Sequence, residues 1–207
     1  MAIRIRSSFH ARGKPRSQAA LASVIAMLAW KLAIDSIKRM REAKFDIDLG
    51  RSYFDYVCEH LAFLAHVADR IAHRDLEAEQ RVEFTTALAK RLSEVVEDNA
   101  DMLLSAQPPG FCKAHFLDLF NRAGADYAEY AYTERGPDFG FRRCFASRVR
   151  EGVAEKDKTW IYDQVMEIEA PETVRTVEKT LAGLFAAADD QSDVAPRRKA
   201  REMLSGD

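Results

Sequence analysis

Apolar residues recur at about every third or fourth position through long stretches of this chain, and nowhere alternate with the two-residue rhythm of a half-buried strand. Short polar breaks divide the stretches, so the pattern predicts successive helices. Ser17 is placed to cap a first helix reaching about Ala43, whose opening half (Leu21, Val24, Ile25, Met27, Leu28, Trp30) is apolar on nearly every side. Such a half-helix is buried centrally or covered by a partner. Its second half carries Lys31, Asp35, Lys38 and Glu42 as one polar stripe with ion-pair spacing, the pattern of a solvated face.

A break ending in Gly50 precedes a second helix from Ser52 to Asp75, with Ser52 as its expected cap. Asp75 is then expected to cap a third helix to about Leu104, with Phe84, Leu88, Leu92, Val95 and Met102 on its apolar face. Gln107-Pro108-Pro109-Gly110 ends that run, and a fourth helix from Phe111 to about Tyr132 lines up Phe116, Phe120, Ala123, Tyr127 and Tyr130. Arg135-Gly136-Pro137-Asp138 is the next break. A short helix through Val149 turns Phe141, Phe145 and Val149 inward, and Asp157 caps another bearing Trp160, Ile161, Val165 and Ile168. Pro171 suits the first position of a last helix, with Val174, Val177, Leu181 and Leu184 on its core face. The expected fold is an all-α, single-domain helical bundle of about six to seven helices over residues 17–188, preceded by a basic arm (1–16) and followed by a mobile polar tail (189–207). The layout resembles ferritin-like bundles in architecture alone.

Three of the five histidines and four carboxylates fall within the second helix. On a wheel of about 100° per residue, Val57, Leu61, Leu64, Ala68 and Ile71 form a buried stripe. Glu59, His66, Asp69 and His73 gather on the opposite side, where they read as a solvent face or, less simply, as a file of metal ligands. A bundle metal centre normally draws Glu-x-x-His pairs from two helices. That motif is absent, as are His-Glu-x-x-His and His-x-x-x-His. His60 leans toward the apolar shoulder and is expected to be at least partly buried. Asp126 or Glu167 could supply a facing carboxylate and make a general base of it. No cofactor is predicted.

Composition adds a division of charge. The net charge of −2 conceals an N-terminal excess, because residues 1–34 hold Arg4, Arg6, Arg12, Lys14, Arg16 and Lys31 and no acid. Arg142 and Arg143 add a basic fifth helix, and with the arm they offer an anion-binding surface for phosphate or lipid headgroups. No helix-turn-helix, RNA-binding signature or phosphate-loop lysine accompanies them, so nucleic-acid binding is a minor alternative. Three widely spaced cysteines, with no CxxC pair, fit reduced thiols in a cytoplasmic protein. An organellar transit peptide is the alternative for the Arg-rich start, and the 14-residue uncharged run Ser17–Trp30 is too short for a spanning helix. The leading functional expectation is a non-enzymatic interaction or oligomeric scaffold module, plausibly a homodimer, with Val24, Met27, Leu28 and Trp30 at the partner surface. A helical metalloprotein or enzyme built on His60 is the second.

Overall fold

The computed structural model describes residues 17–45, 47–48, 50–105 and 107–203, with side chains described as far as residue 186. The fold is an all-α bundle. Its elements are α1 (Gln18–Glu42), α2 (Arg51–Asp75), α3 (Ala78–Asp98), α4 (Ala100–Leu103), α5 (Phe111–Ala128), β1 (Tyr132–Thr133), β2 (Gly136–Pro137), α6 (Phe139–Gly152), α7 (Lys158–Gln164) and α8 (Ala170–Met203). The arm with Arg4, Arg6, Arg12, Lys14 and Arg16 lies outside the described residues. The α8 backbone continues through the stretch expected as a tail as far as Met203.

Ser17 accepts from the Ala20 amide and starts α1 as expected. The helix stops in a Schellman motif: the Phe45 amide donates to the Met40 carbonyl (2.8 Å) and the Lys44 amide to Arg41 (2.9 Å). Lys44 occupies the left-handed position, φ 67°, usually taken by glycine. Its backbone turn carries Phe45 onto the Trp160 ring, centroids 4.8 Å apart. α1 as a whole is long and apolar enough to cross a membrane, with mean hydropathy 1.7 over its best window, which corrects the length argument drawn from the uncharged run alone. Leu21, Ala22, Ile25, Ala26, Ala29 and Ala33 are nevertheless buried inside the bundle.

Several expected boundaries shift. α2 begins one residue before Ser52, with Gly50 (φ 90°) in the flanking position that a side chain would strain. α2 also runs through Asp75, so α3 is capped by Glu77, whose side chain and that of Gln80 form a reciprocal capping box. Asn99 interrupts the third helix by donating Nδ2 to the Val95 carbonyl (2.8 Å). Met102, beyond that break, is 62% exposed rather than in the core. Glu97 caps α5 from beyond α4, accepting from the Gly110 and Lys113 amides at 2.5 and 2.9 Å.

α5 stops at Ala128, short of Tyr132, because a two-residue antiparallel ladder, Tyr132 with Pro137 and Thr133 with Gly136, reverses the chain. Asp138 ties this hairpin to α6: Oδ2 accepts from the Ala131 amide (3.0 Å) and Oδ1 from Phe141 (2.7 Å). Tyr130 is half-buried and lies over Gly140, where an added Cβ would sit 2.3 Å from the ring.

Phe141, Phe145 and Val149 point inward as expected, and Phe145 stacks on Phe63 of α2 with centroids 4.2 Å apart. Each such fully buried phenylalanine contributes about 1.5–3 kcal/mol. The last two predicted helices join into one rod. Between α7 and α8 the backbone makes a five-residue π turn, Val165–Glu169, and Pro171 follows as the second residue of α8. The wide turn accommodates the hydrogen bond that proline cannot donate. It also turns Ile168, expected in the core, to 47% exposure and carries Glu169 to 0%. α2 lies at the centre, packed against α1, α3, α5, α6 and α8.

Candidate functional site

Two sets of polar side chains are built around α2. The deeper joins it to α1 and α8. His60 is 0% exposed and stands between the rings of Tyr56 and Phe145, with centroids 5.6 and 5.1 Å away. Its Nε2 lies 3.4 Å from Thr173 Oγ1, and that hydroxyl donates to the Glu169 carbonyl at 2.7 Å. The hydroxyl proton is thereby committed, so Nε2 carries the imidazole proton toward Oγ1 and Nδ1 is the bare nitrogen. Nδ1 is buried without a hydrogen-bond partner. Burial above all, with the nearby Arg39 cation, lowers the His60 pKa to about 3, so the ring is neutral.

The carboxylate in this region is Glu169, two residues on from the expected Glu167. It is fully buried, receives Arg39 Nη2 on Oε2 at 2.5 Å and Gln164 Nε2 on Oε1 at 3.1 Å. Tyr56 completes the set by hydrogen bonding its hydroxyl to Ser36 of α1. Glu167 itself is exposed on the outside of the π turn. A uniform helical period cannot anticipate the exchange, because the π turn inserts an extra residue into that period.

The second set holds α2 to α3, α5 and α6. Glu59, expected on a solvent face, is 8% exposed and binds the Arg148 guanidinium through two bonds, 2.8 and 3.0 Å. Arg148 also reaches Asp126 at 2.5 Å, so Asp126 is engaged on α6 rather than on His60. Burial raises the Glu59 pKa, with Arg148 opposing the shift. His66 stacks flat on Phe120, centroids 4.5 Å apart, and its Nε2 donates to the Phe120 carbonyl at 3.2 Å. Burial dominates there too and lowers its pKa to about 4. Gly124 leaves room for the ring, since a Cβ would stand 3.2 Å from its Cε1. Asp69 accepts from Arg81 at 2.9 and 2.7 Å and from Thr85 at 2.9 Å. Burial pushes its carboxyl up, but these bonds together hold it below the usual carboxylate range. His73 alone of the four is exposed, with Nδ1 3.3 Å from Arg81.

Glu59, His66, Asp69 and His73 are thus distributed to three neighbouring helices instead of sharing a solvent face. The solvent-face expectation is corrected because one wheel cannot register that α2 is surrounded. Among the described residues no group of three or more His, Cys, Asp or Glu side chains is placed to hold a metal ion. A cleft of about 340 Å³ between α6 and α7 is lined by Ser147, Arg150, Glu151 and Lys158, and no member of the His60 set lines it. Arg142 is half-buried and Arg143 exposed on α6. Cys58 and Cys112 are buried free thiols and Cys144 is half-buried. Burial holds Cys58 well above its ordinary pKa, so it is a packed thiol and not a nucleophile.

On α1, Trp30 is 5% exposed and belongs to the core, which removes it from the outer surface. Val24, Met27 and Leu28 are half-buried, with Lys31 exposed beyond them. No protein-family model, curated protein or solved structure matches the chain.

Proposed function

We propose that the chain is a helical association module that acts through its surface, with α1 as the contact element. The observation that carries this reading is how the acid–base groups of α2 are used. His60, Glu59, His66 and Asp69 each fasten α2 to another helix, and His60 and Glu169 are sealed from solvent by the packing that employs them. Side chains engaged in this way rigidify a bundle and specify its pairing. One side of α1 combines half-exposed Val24, Met27 and Leu28, of which Val24 and Leu28 also pack against the core, with charged positions, the mixture of apolar contact and polar rim found at protein interfaces. Three free thiols suit a reducing, cytoplasmic setting.

A photoreactive residue placed at Val24 in cells producing the chain tests this reading. We expect a discrete adduct that Met27→Glu abolishes, and no adduct from the same probe at exposed Lys90 of α3. Absence of the Val24 adduct, or an equal adduct at Lys90, would overturn the proposal.

A further inference from the structure

The outward stripe of α1 has an internal symmetry. Lys31, Asp35, Lys38 and Glu42 alternate in sign along one side of the helix, and the side chains of Asp35 and Lys38 are 34% and 65% exposed. Lys31 and Glu42 are equidistant from the peptide joining Ser36 to Ile37, and so are Asp35 and Lys38. A second helix laid antiparallel across that point sets Lys31 opposite Glu42, Asp35 opposite Lys38, and the reverse pairs beyond. Every charge meets its opposite. Two-fold pairing of identical surfaces requires this self-complementarity.

The same operation sets Leu28 just beyond Glu42 of the second copy, at the C-terminal end of its α1. Leu28 is half-buried on the stripe. The contact therefore has four ion pairs at its centre, with Leu28 flanking them at each end.

We infer that a second copy of this chain docks on α1, antiparallel, about a two-fold axis passing between Ser36 and Ile37. This rests on the association reading above and names its partner. The charged overlap from residue 31 to residue 42 covers about 16 Å of helix, short beside the interfaces of permanent dimers. The pairing is accordingly concentration-dependent, and its charges supply register and orientation more than strength.

Sedimentation equilibrium of the full chain at low salt tests it. The parent is expected to form a dimer that weakens as salt rises. Asp35→Lys sets lysine against Lys38 of the second copy twice over, and is expected to raise the dimer dissociation constant about tenfold. The double variant Asp35→Lys with Lys38→Asp restores every opposition and recovers the parent value. Lys31→Glu and its rescue by Glu42→Lys repeat the test at the outer pairs, and circular dichroism checks that each variant is folded. A monomer at all concentrations, a dimer indifferent to Asp35→Lys, or a double variant that fails to recover would each overturn the inference. If the chain stays monomeric while the Val24 adduct persists, self-pairing fails and the association reading survives. If the adduct is lost as well, both fall.

Discussion

α1 and α2 are both 25 residues long, and their fates reverse their compositions. α1 is apolar enough to pass for a membrane span, yet ten of its residues are buried and a half-exposed stripe remains. α2 carries three histidines and four carboxylates, yet fifteen of its residues are buried, Glu59 and His60 included. Position in the bundle decides the difference. α2 is ringed by five helices, whereas α1 packs mainly against α2, α3 and α8 and keeps an open side. A charged side chain can occupy such a centre only when a neighbour meets it, and Arg39, Arg81 and Arg148 meet Glu169, Asp69 and Glu59.

The sharpest way to break the comparison is to take away one of those partners. Arg39→Met leaves Glu169, with no exposure, facing only Gln164, and is expected to cost about 3 kcal/mol in chemical denaturation. A loss below about 1 kcal/mol would mean that the junction of α1 with the π turn does not depend on the pair. Acid should expose the same interior. His60 and His66 have folded pKa values of about 3 and about 4, below the ordinary 6.5, so the unfolded chain takes up protons first as the pH falls. Their contribution is whole above about pH 6.5 and drains away between there and about pH 4 to 3. The urea midpoint is expected to fall between about pH 7 and pH 5, by about 2 kcal/mol or more of stability. In a His60→Gln, His66→Gln double variant that dependence should flatten; an unchanged slope would assign it to other groups.

Smaller effects refine the picture toward the surface. Arg148→Met unpairs Glu59, which keeps slight exposure, so about 1–2 kcal/mol is expected. Arg122→Met, breaking an Asp118 pair in which both side chains are more than 60% exposed, should stay within about 0.5 kcal/mol by the same measurement. Equal losses for the two would erase the distinction between interior and surface pairs. The smallest change is a gain: Lys44→Gly relieves the left-handed strain at the end of α1 and should add about 0.5–1 kcal/mol, read as a raised thermal midpoint.

Much of this was legible where the signal is local. Ser17 as a cap, the break at Gly110, and Phe141, Phe145 and Val149 as a core strip depend on neighbours within a turn or two. The helical class follows from the same short-range pattern. What could not be read depends on the company a helix keeps. The wheel set Glu59, His66 and Asp69 on the side opposite Val57, which is correct for an isolated α2, but α3, α5 and α6 occupy that side. Glu169 was missed for another reason: beyond residue 165 the angular position of every residue depends on a π turn that composition does not announce. The signal that could have raised suspicion was Pro171 inside an otherwise continuous apolar period.

That turn makes the chain tolerant of a change in length at one place. Excising a single residue between 165 and 169 would remove the extra residue, leave an ordinary α-helix and keep everything after it close to its present phase relative to α7. Thr173, Val174, Val177 and Leu181, all now against the core, would stay on that side. A deletion inside α8 between residues 175 and 180 has no wide turn to absorb it and would swing the residues beyond it by about 100°. Gaps at these two places therefore differ in kind: one closes a bulge, and the other changes the phase of the helix that follows.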